Sequence, residues 1–409
     1  MRRLVTLLFL ILMLAGCNSG GGDTRPPENP PVVAESPCDP LTGLREPLPA
    51  CSPDTVCTRV APEVGLSQID SPVVVPECDA AVWDDRWTKD VLGFTRYACI
   101  HRPPGISAGS PRPLVVWFHP GGTGGADLAG SETSLIAKAD SFDLSGDSSR
   151  PGFILAAVQG RNLHFPTNAY RDGLHHDFYF RDLASPSTNP DIANADALID
   201  DLVASGSVDL NRIYVMGWSN GGFFSQLYAI ARHGTATPGG HRVASAAVFA
   251  AANPFENIEW DSFQEAALPA DQSCAISIPA SNVPIFIVHR TADAAVACDT
   301  VQAACFATEP GYITTQWLAD SVAAGLNITG LMIGGLESGS VVGLDQAAVT
   351  CTDFSSGCTT TECTWPPTDG CLSLVNHERW PDGDYNNYPT TGVDRETDMF
   401  DFLKDHPNT

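Results

Sequence analysis

Two patterns of hydrophobic residues, one typical of buried strands and one typical of helices, alternate along the middle of the chain. Nearly continuous apolar runs of five to nine residues, such as residues 113–119 and 283–289, are typical of strands buried on both faces. Between them, residues 191–202 and 221–231 have the pattern of helices. The alternation predicts an α/β fold, a mostly parallel sheet with helices on both faces. The predicted strands are residues 95–101, 113–119, 152–158, 212–216, 243–251, 283–289 and 372–375.

The first 17 residues have the pattern of an export signal. A basic start is followed by the uncharged apolar residues 4–14, too few to span a membrane, which takes roughly 20. Leu14-Ala15-Gly16-Cys17 resembles the lipobox of bacterial lipoproteins, in which the cysteine is lipidated. By that resemblance Asn18 favours the outer membrane. An ordinary signal peptide cleaved near Cys17 is the alternative, and residues 18–37 are too rich in Gly and Pro to pack, which indicates a tether.

Cysteine usage also indicates export. Of the 13 cysteines, Cys17 belongs to the signal, and the other 12 suggest up to six disulfides in an oxidising compartment. No two cysteines are three residues apart, which argues against zinc. The connectivity stays open, although Cys298 and Cys305 are close enough in sequence to close a small loop. We expect a cysteine-rich lead-in at residues 38–90, a catalytic domain at 91–409 and a crosslinked insertion at about 338–370.

The charge balance narrows the range of partners. The chain has 409 residues and a net charge of −26, from 48 acidic and 22 basic residues. So acidic a surface repels phosphate backbones and anionic lipid, which argues against nucleic acid and against membrane binding by charge. We expect a monomer whose contact with a membrane is the N-terminal lipid alone.

A serine lies between two glycines directly after a predicted strand. Residues 217–221, Gly-Trp-Ser-Asn-Gly, match G-x-S-x-G and precede a predicted helix. In that context Ser219 would be lifted above the sheet edge as a nucleophile, and the backbone N–H of Asn220 would face the developing oxyanion.

A glycine-rich loop after the strand 113–119 predicts the second oxyanion donor. Pro120 has no N–H, so the donor is Gly121 or Gly122. A phosphate-binding loop is the alternative, but no Gly-Lys-Ser/Thr follows. His119 is expected to support this loop.

The acid and the base should follow the serine in chain order. Asp293 comes just past the strand 283–289, with Asp299 as second choice, and His377 follows the last predicted strand. Trp218 and Trp380 flank the proposed nucleophile and base and are candidates either for substrate binding or for core packing.

Two further motifs carry weaker signals. The pair His175-His176 lies near Asp172 and Asp177, so metal binding is an alternative to a substrate-adjacent loop. Residues 382–387 hint at a calcium loop but lack its terminal glutamate. We predict neither a metal nor a cofactor.

Several of these stretches together resemble a known family. The similarity is to exported polyhydroxybutyrate depolymerases and feruloyl esterase-like α/β-hydrolases, and it lies in residues 97–105 (YACIHRPPG), 113–125 (PLVVWFHPGGTGG), 208–222, 289–296 and 375–383. The resemblance implies an α/β-hydrolase fold and a serine esterase that acts on polymeric or aromatic esters without a metal. This chain departs from the family pattern in having Arg290 where the family has glycine, and in an extra residue between His377 and Trp380.

The sequence therefore favours a serine esterase that works through an acyl-enzyme. A prolyl-oligopeptidase-like peptidase is the second interpretation, although residues 38–94 are too few for the propeller of such enzymes. The third is a surface binding protein with an inactive hydrolase fold.

Overall fold

The computed structural model describes most of the central part of the chain. All described residues belong to the compact unit Ser36–Thr409. The lipobox with Cys17, the tether 18–37, the predicted strand 372–375 and Asp299 lie outside them, as does most of the insertion at 338–370. The described residues are 67–68, 74–122, 125–164, 173–179, 181, 183–234, 236–237, 240–255, 278–290, 293, 295–298, 312–334, 340–343, 377–383 and 394–408.

Strands and helices alternate through the described residues. The strands are β1 (Ser67–Gln68), β2 (Asp85–Val91), β3 (Phe94–His101), β4 (Arg112–Phe118), β5 (Ile154–Val158), β6 (Arg161–His164), β7 (Gly173–His175), β8 (Val208–Trp218), β9 (Ala236–Thr237), β10 (Gly240–His241), β11 (Ser245–Phe249), β12 (Ile285–Arg290), β13 (Ile328–Gly334) and β14 (Ser340–Gly343). The helices are α1 (Leu128–Ser131), α2 (Leu135–Ser141), α3 (Pro190–Ala204), α4 (Asn220–Arg232), α5 (Thr314–Ala323) and α6 (Glu396–Asp405), with a 3₁₀ turn at Pro186–Thr188.

The large sheet has the order β14-β13-β12-β11-β8-β4-β5-β3-β2. Its centre is parallel from β5 through β4, β8, β11 and β12 to β13. The antiparallel pairings lie on its two sides, at β2 with β3, β3 with β5, and β13 with β14. The chain segments that follow β4, β8 and β12 therefore emerge at one edge of the sheet, because those strands point the same way.

The burial of the central strands explains why their sequence pattern is so plain. Every residue of β4, β5, β11 and β12 is buried. Two hydrophobic clusters cover the opposite faces of this sheet, which is why these strands are apolar on both sides.

The sheet extends further than the apolar runs suggest. It begins at Asp85, inside the segment 38–90 that we set apart as a lead-in, because β2 pairs with β3 over its whole length. Most β2 side chains are at least partly exposed and polar, so the edge strand leaves no hydrophobic signal. A disulfide between Cys78 and Cys99 further ties the lead-in to β3, and Cys298 is also disulfide-bonded.

This architecture is the α/β-hydrolase fold. A mostly parallel sheet is packed between helices, and a serine lies on the sharp turn from the central strand β8 into helix α4. Among the described residues, no helix is both long and apolar enough to span a bilayer.

Candidate active site

Ser219 occupies a strained turn between β8 and α4. Its backbone has φ 52° and ψ −122°, a region that residues with a side chain rarely adopt. The surrounding structure holds it there: the Ser219 N–H donates to Phe249 O across 2.9 Å, and the Ser219 carbonyl accepts from Phe223 N–H across 2.9 Å. The Ser219 side chain is partly exposed.

The two glycines of the turn are required by close backbone contacts. A Cβ on Gly217 would collide with the carbonyl of Gly221 and the hydroxyl of Ser225. One on Gly221 would collide with the carbonyls of Phe118 and His119 at the end of β4. The G-x-S-x-G pattern is therefore a packing requirement of this turn.

The structure brings Ser219, His377 and Asp293 together in one hydrogen-bonded series. His377 Nε2 lies 2.7 Å from Ser219 Oγ, and His377 Nδ1 lies 2.9 Å from Asp293 Oδ2. The carboxylate can only accept, so Nδ1 carries the hydrogen and Nε2 is left to accept the serine proton. The other Asp293 oxygen, Oδ1, accepts from the N–H groups of Ala295 and Val296 at 2.7 and 2.9 Å.

Electrostatic interactions between Asp293 and His377 shift the pKa values of both groups in the direction that favours an ionised Asp293 and a proton-accepting His377. Burial alone lowers the pKa of the His377 imidazole, but the charge and hydrogen bond of Asp293 outweigh burial and raise this pKa above 6.5. Burial raises the pKa of Asp293, and its attraction to His377 reverses this, so that the pKa falls below 3.8. Asp293 therefore stays ionised beside an imidazole that accepts a proton readily.

The loop after β4 places one free N–H next to the serine turn. Gly122 N–H donates to Leu174 O across 2.9 Å and is thereby used. Gly121 N–H has no acceptor among the described residues. A Cβ on Gly121 would lie 3.2 Å from Asn220 Cβ, so this N–H and the equally unpaired N–H of Asn220 come from adjacent residues in space.

The Asn220 side chain connects the serine turn to the strand that holds this loop. Its Oδ1 accepts from His176 N–H across 2.7 Å, and its Nδ2 donates to His176 O across 3.1 Å. Leu174, two residues before His176, exchanges two backbone hydrogen bonds with Gly122. One side chain thus braces both halves of the candidate oxyanion site.

A buried cluster of ion pairs stabilises the segment at the end of β7, residues 175–177. Asp191 at the start of α3 pairs with Arg96 and, across 3.2 Å, with Arg161. Arg161 also pairs with Asp177 across 2.8 Å, and Asp177 N–H donates to Asp191 across 2.8 Å. Burial raises the pKa of Asp191, but the two guanidinium groups outweigh it and hold this pKa well below its usual range. The cluster fixes residues 175–177 relative to the sheet.

His119 supports the glycine loop, as the sequence suggested. Its Nε2 accepts from Gly160 N–H across 2.9 Å, which leaves Nδ1–H to donate to Pro120 O across 2.7 Å. Burial lowers the pKa of His119 to about 4, so the ring is neutral. His176 is also buried, and its pKa is lowered well below 6.5. Within the part of the chain that the structure describes, no three His, Cys, Asp or Glu residues are grouped to bind a metal.

Trp218 and Trp380 lie in the core, which favours core packing, one of the two roles that the sequence left open for them. Their exposed fractions are 5% and 1%, and their ring centroids are 5.9 Å apart. Trp218 Nε1–H donates to the carbonyl of His377 across 2.8 Å, and Trp380 Nε1–H donates to Glu396 across 2.9 Å. Rings this deeply buried have too little free surface to stack on an acyl group.

Several interactions around the site have no signal in the sequence. Asn220 as a side-chain brace, Arg290 as a donor to the carbonyl of Arg379, and Glu396 as an acceptor all depend on contacts between distant segments. The sequence marked Asn220 only for its backbone N–H, and Arg290 only because the resembling family has glycine at that position.

No family model and no curated protein matches the sequence. Among solved structures, the chain is similar to the thermophilic esterase Est2 from the planctomycete Thermogutta terrifontis. The propionate-bound form is 17% identical, with a TM-score of 0.39, over 64% of this chain and 85% of that chain. The same esterase phosphonylated by cyclosarin is 18% identical, with a TM-score of 0.37, over 61% and 82% of the two chains. Likeness at this level does not assign an activity to this chain.

Proposed function

We propose that this protein is a serine esterase that hydrolyses carboxylic esters through an acyl-enzyme. The observation that carries the proposal is the pair of hydrogen bonds at His377: Nε2 lies 2.7 Å from Ser219 Oγ, and Nδ1 lies 2.9 Å from Asp293 Oδ2. The three residues come from three different segments of the chain. An unactivated serine needs neither an oriented imidazole nor a strained backbone, and this serine has both.

The chemistry follows from the atoms in place. His377 Nε2 takes the hydroxyl proton as Ser219 Oγ bonds to the ester carbonyl carbon, and the oxyanion accepts hydrogen bonds from the N–H groups of Asn220 and Gly121. When the tetrahedral intermediate collapses, the bond to the alkoxy oxygen breaks and His377 returns the proton to that oxygen. Water, deprotonated by His377, then bonds to the acyl carbon; the bond from that carbon to Ser219 Oγ breaks, and His377 returns the proton to Oγ. Asp293 holds the imidazole in the productive tautomer throughout.

We further propose that the enzyme is exported and acts on a polyhydroxyalkanoate-like polyester or a feruloyl or other aromatic ester. The lipobox-like residues 14–17, the 13 cysteines and the disulfide between Cys78 and Cys99 support export. The motifs shared with depolymerases and feruloyl esterases support the substrate class. The lipid on Cys17 would be the sole attachment to a membrane.

Replacement of the serine tests the activity directly. We expect Ser219→Ala to abolish hydrolysis of a short p-nitrophenyl ester, with an unchanged circular dichroism spectrum. Ser205→Ala is the matched control, because Ser205 precedes β8 and so lies at the opposite edge of the sheet from Ser219. Hydrolysis by Ser219→Ala at the wild-type rate would refute the proposal.

A substrate panel separates the remaining interpretations. Turnover of p-nitrophenyl esters together with hydroxyalkanoate polymer or feruloylated sugar, and none of matched peptide amides, is the expected result. Faster cleavage of the amides would indicate a peptidase instead. A wild-type protein that neither turns over an ester nor reacts with a fluorophosphonate would indicate a binding protein with this fold.

A further inference from the structure

We propose that Trp218 and Arg290 are positioning residues that hold the backbone of the His377 loop, residues 377–381, and so keep the imidazole in reach of Ser219. The inference rests on the proposed function and adds to it the side chains that set the geometry of the base.

Trp218 is next to the proposed nucleophile in the chain and contacts the loop that bears the proposed base. It directly precedes Ser219, and its indole N–H donates to the carbonyl oxygen of His377 across 2.8 Å. The indole packs against Phe249 and Trp380, with centroid distances of 6.2 and 5.9 Å, so its orientation is fixed by the core. The rigid end of β8 therefore carries both the serine and the group that holds the histidine backbone.

Arg290 contacts the segments that bear the proposed base and the proposed acid. It ends β12, and its carbonyl accepts from Asp293 N–H across 3.1 Å. Its Nη1–H donates to the carbonyl of Arg379 in the His377 loop, and its guanidinium lies 4.9 Å from the centre of the Phe249 ring. The side chain is fully buried. One residue thus contacts the turn that bears Asp293 and the loop that bears His377.

The far end of the loop is fixed independently. The N–H groups of Arg395 and Glu396 both donate to Pro381 O across 2.8 Å, and Trp380 donates to Glu396. Loss of the contact from Trp218 or Arg290 would therefore leave the loop attached while freeing the part next to the imidazole. A displacement of about 1 Å of a catalytic group can lower a rate on the order of 100-fold, so these contacts matter for turnover before they matter for folding.

Trp218→Phe tests the first contact, because it removes the N–H and keeps an aromatic ring. Trp317→Phe is the matched control: Trp317 is fully buried and donates its N–H to Gln226 across 2.7 Å, outside the His377 loop. We expect Trp218→Phe to lower kcat for a p-nitrophenyl ester on the order of tenfold, with KM nearly unchanged, while Trp317→Phe keeps the wild-type kcat. Equal losses of kcat in the two variants would overturn the proposal.

Arg290→Met and Arg290→Lys test the second contact. Met removes the donor, whereas Lys restores one, so we expect kcat to fall with Met and to recover in part with Lys. Arg181→Met is the control, because Arg181 is equally buried and donates to the carbonyl of Pro254 across 2.9 Å. A kcat for Arg290→Met equal to that of Arg181→Met would overturn the role of Arg290.

Two readouts do not depend on ester turnover. One is the proton NMR signal of the His377 Nδ1–H held by Asp293, and the other is the rate at which a fluorophosphonate labels Ser219. We expect Trp218→Phe to shift or broaden this signal and to slow labelling, and Trp317→Phe to change neither. A wild-type protein that shows the signal and labels but hydrolyses no ester would defeat the proposed function and leave the positioning testable. An unchanged signal and labelling rate in Trp218→Phe would defeat the positioning alone.

Discussion

Gly122 and Leu174 exchange two backbone hydrogen bonds, of 2.9 Å from Gly122 N–H and 3.0 Å from Leu174 N–H. The N–H of Gly122 is thereby occupied, and the N–H of Gly121 is the one left beside Asn220. Sequence reasoning could not choose between these two glycines, because both follow Pro120 in the same loop. We therefore assign Gly121 as the second proposed oxyanion donor.

Gly121→Ala should impair catalysis by displacing this donor. The new Cβ would lie 2.5 Å from His175 Nδ1 and 3.2 Å from Asn220 Cβ, so the loop must shift. Loss of one oxyanion donor lowers kcat on the order of 100- to 1,000-fold, and we expect a loss of this order in kcat with KM little affected. Steady-state kinetics with a p-nitrophenyl ester measure it.

A second substitution tests whether the loss of kcat in Gly121→Ala comes from the contact of the new Cβ with His175 or from misfolding. His175→Ala removes the ring that the new methyl group would meet, so Gly121→Ala/His175→Ala should recover part of the lost kcat. A double variant with less activity than Gly121→Ala would contradict the explanation.

Asn220→Ala should weaken the oxyanion site although the backbone N–H of residue 220 remains. The side chain makes two hydrogen bonds to His176, and removing them frees the strand that holds Gly122. We expect a fall in kcat of about tenfold and a loss of about 1–3 kcal/mol in the free energy of unfolding. Asn194→Ala, which removes a buried amide from α3, is the control and should keep the wild-type kcat. Wild-type kcat in Asn220→Ala would show that the brace is not needed.

Asp293→Asn should change the pH profile as well as the rate. In the wild type the neutral imidazole is the base, so kcat should rise with pH and reach half its maximum above pH 6.5, because Asp293 raises the pKa of His377. Without the carboxylate, burial lowers that pKa, and the rising limb should move to lower pH. The plateau should fall on the order of 10,000-fold, because the tautomer is no longer fixed.

The control for this variant is Asp201→Asn, which changes a surface carboxylate paired with Lys89. It should retain the wild-type profile. A rising limb of Asp293→Asn at the wild-type pH, measured from kcat against pH, would speak against His377 as the base that Asp293 tunes.

Glu396→Gln should alter the pH dependence of stability. Burial raises the pKa of Glu396 from 4.5 to about 8, against the opposing effects of Ser134, Trp380 and the Lys138 ammonium 3.9 Å away; Asp382 adds to the rise. Between these two pH values the folded state binds more protons than the unfolded state, so stability falls as pH rises from about 4.5 to about 8. Gln removes this titration.

Urea unfolding at pH 5 and pH 8.5 measures the effect. The free energy of unfolding of Glu396→Gln should fall less between these two pH values than that of the wild type. Asp398→Asn, at an exposed position of the same helix α6, is the control. Equal pH dependence in wild type and Glu396→Gln would contradict a neutral Glu396 at low pH.

The central strands and the position of the serine could be predicted from the sequence. The strands β4, β5, β11 and β12 are buried on both faces, so most of their residues are apolar, and these apolar runs are visible without coordinates. The glycines around Ser219 are visible for a similar reason, because a Cβ at either position collides with backbone or with Ser225. The polar edge strand β2 left no such signal, since most of its side chains are exposed.

The contacts that hold the site could not be predicted from the sequence, because they form between distant segments of the folded chain. The hydrogen bonds from Trp218 to His377 and from Arg290 to Arg379 join residues 159 and 89 positions apart, and the pairing of Gly122 with Leu174 leaves the N–H of Gly121 free. Trp218 and Trp380 looked equally suited to a substrate face and to the core, because an indole serves either place and only the packing around it distinguishes them. Contacts of this kind depend on where distant segments meet, which no local pattern of residues encodes.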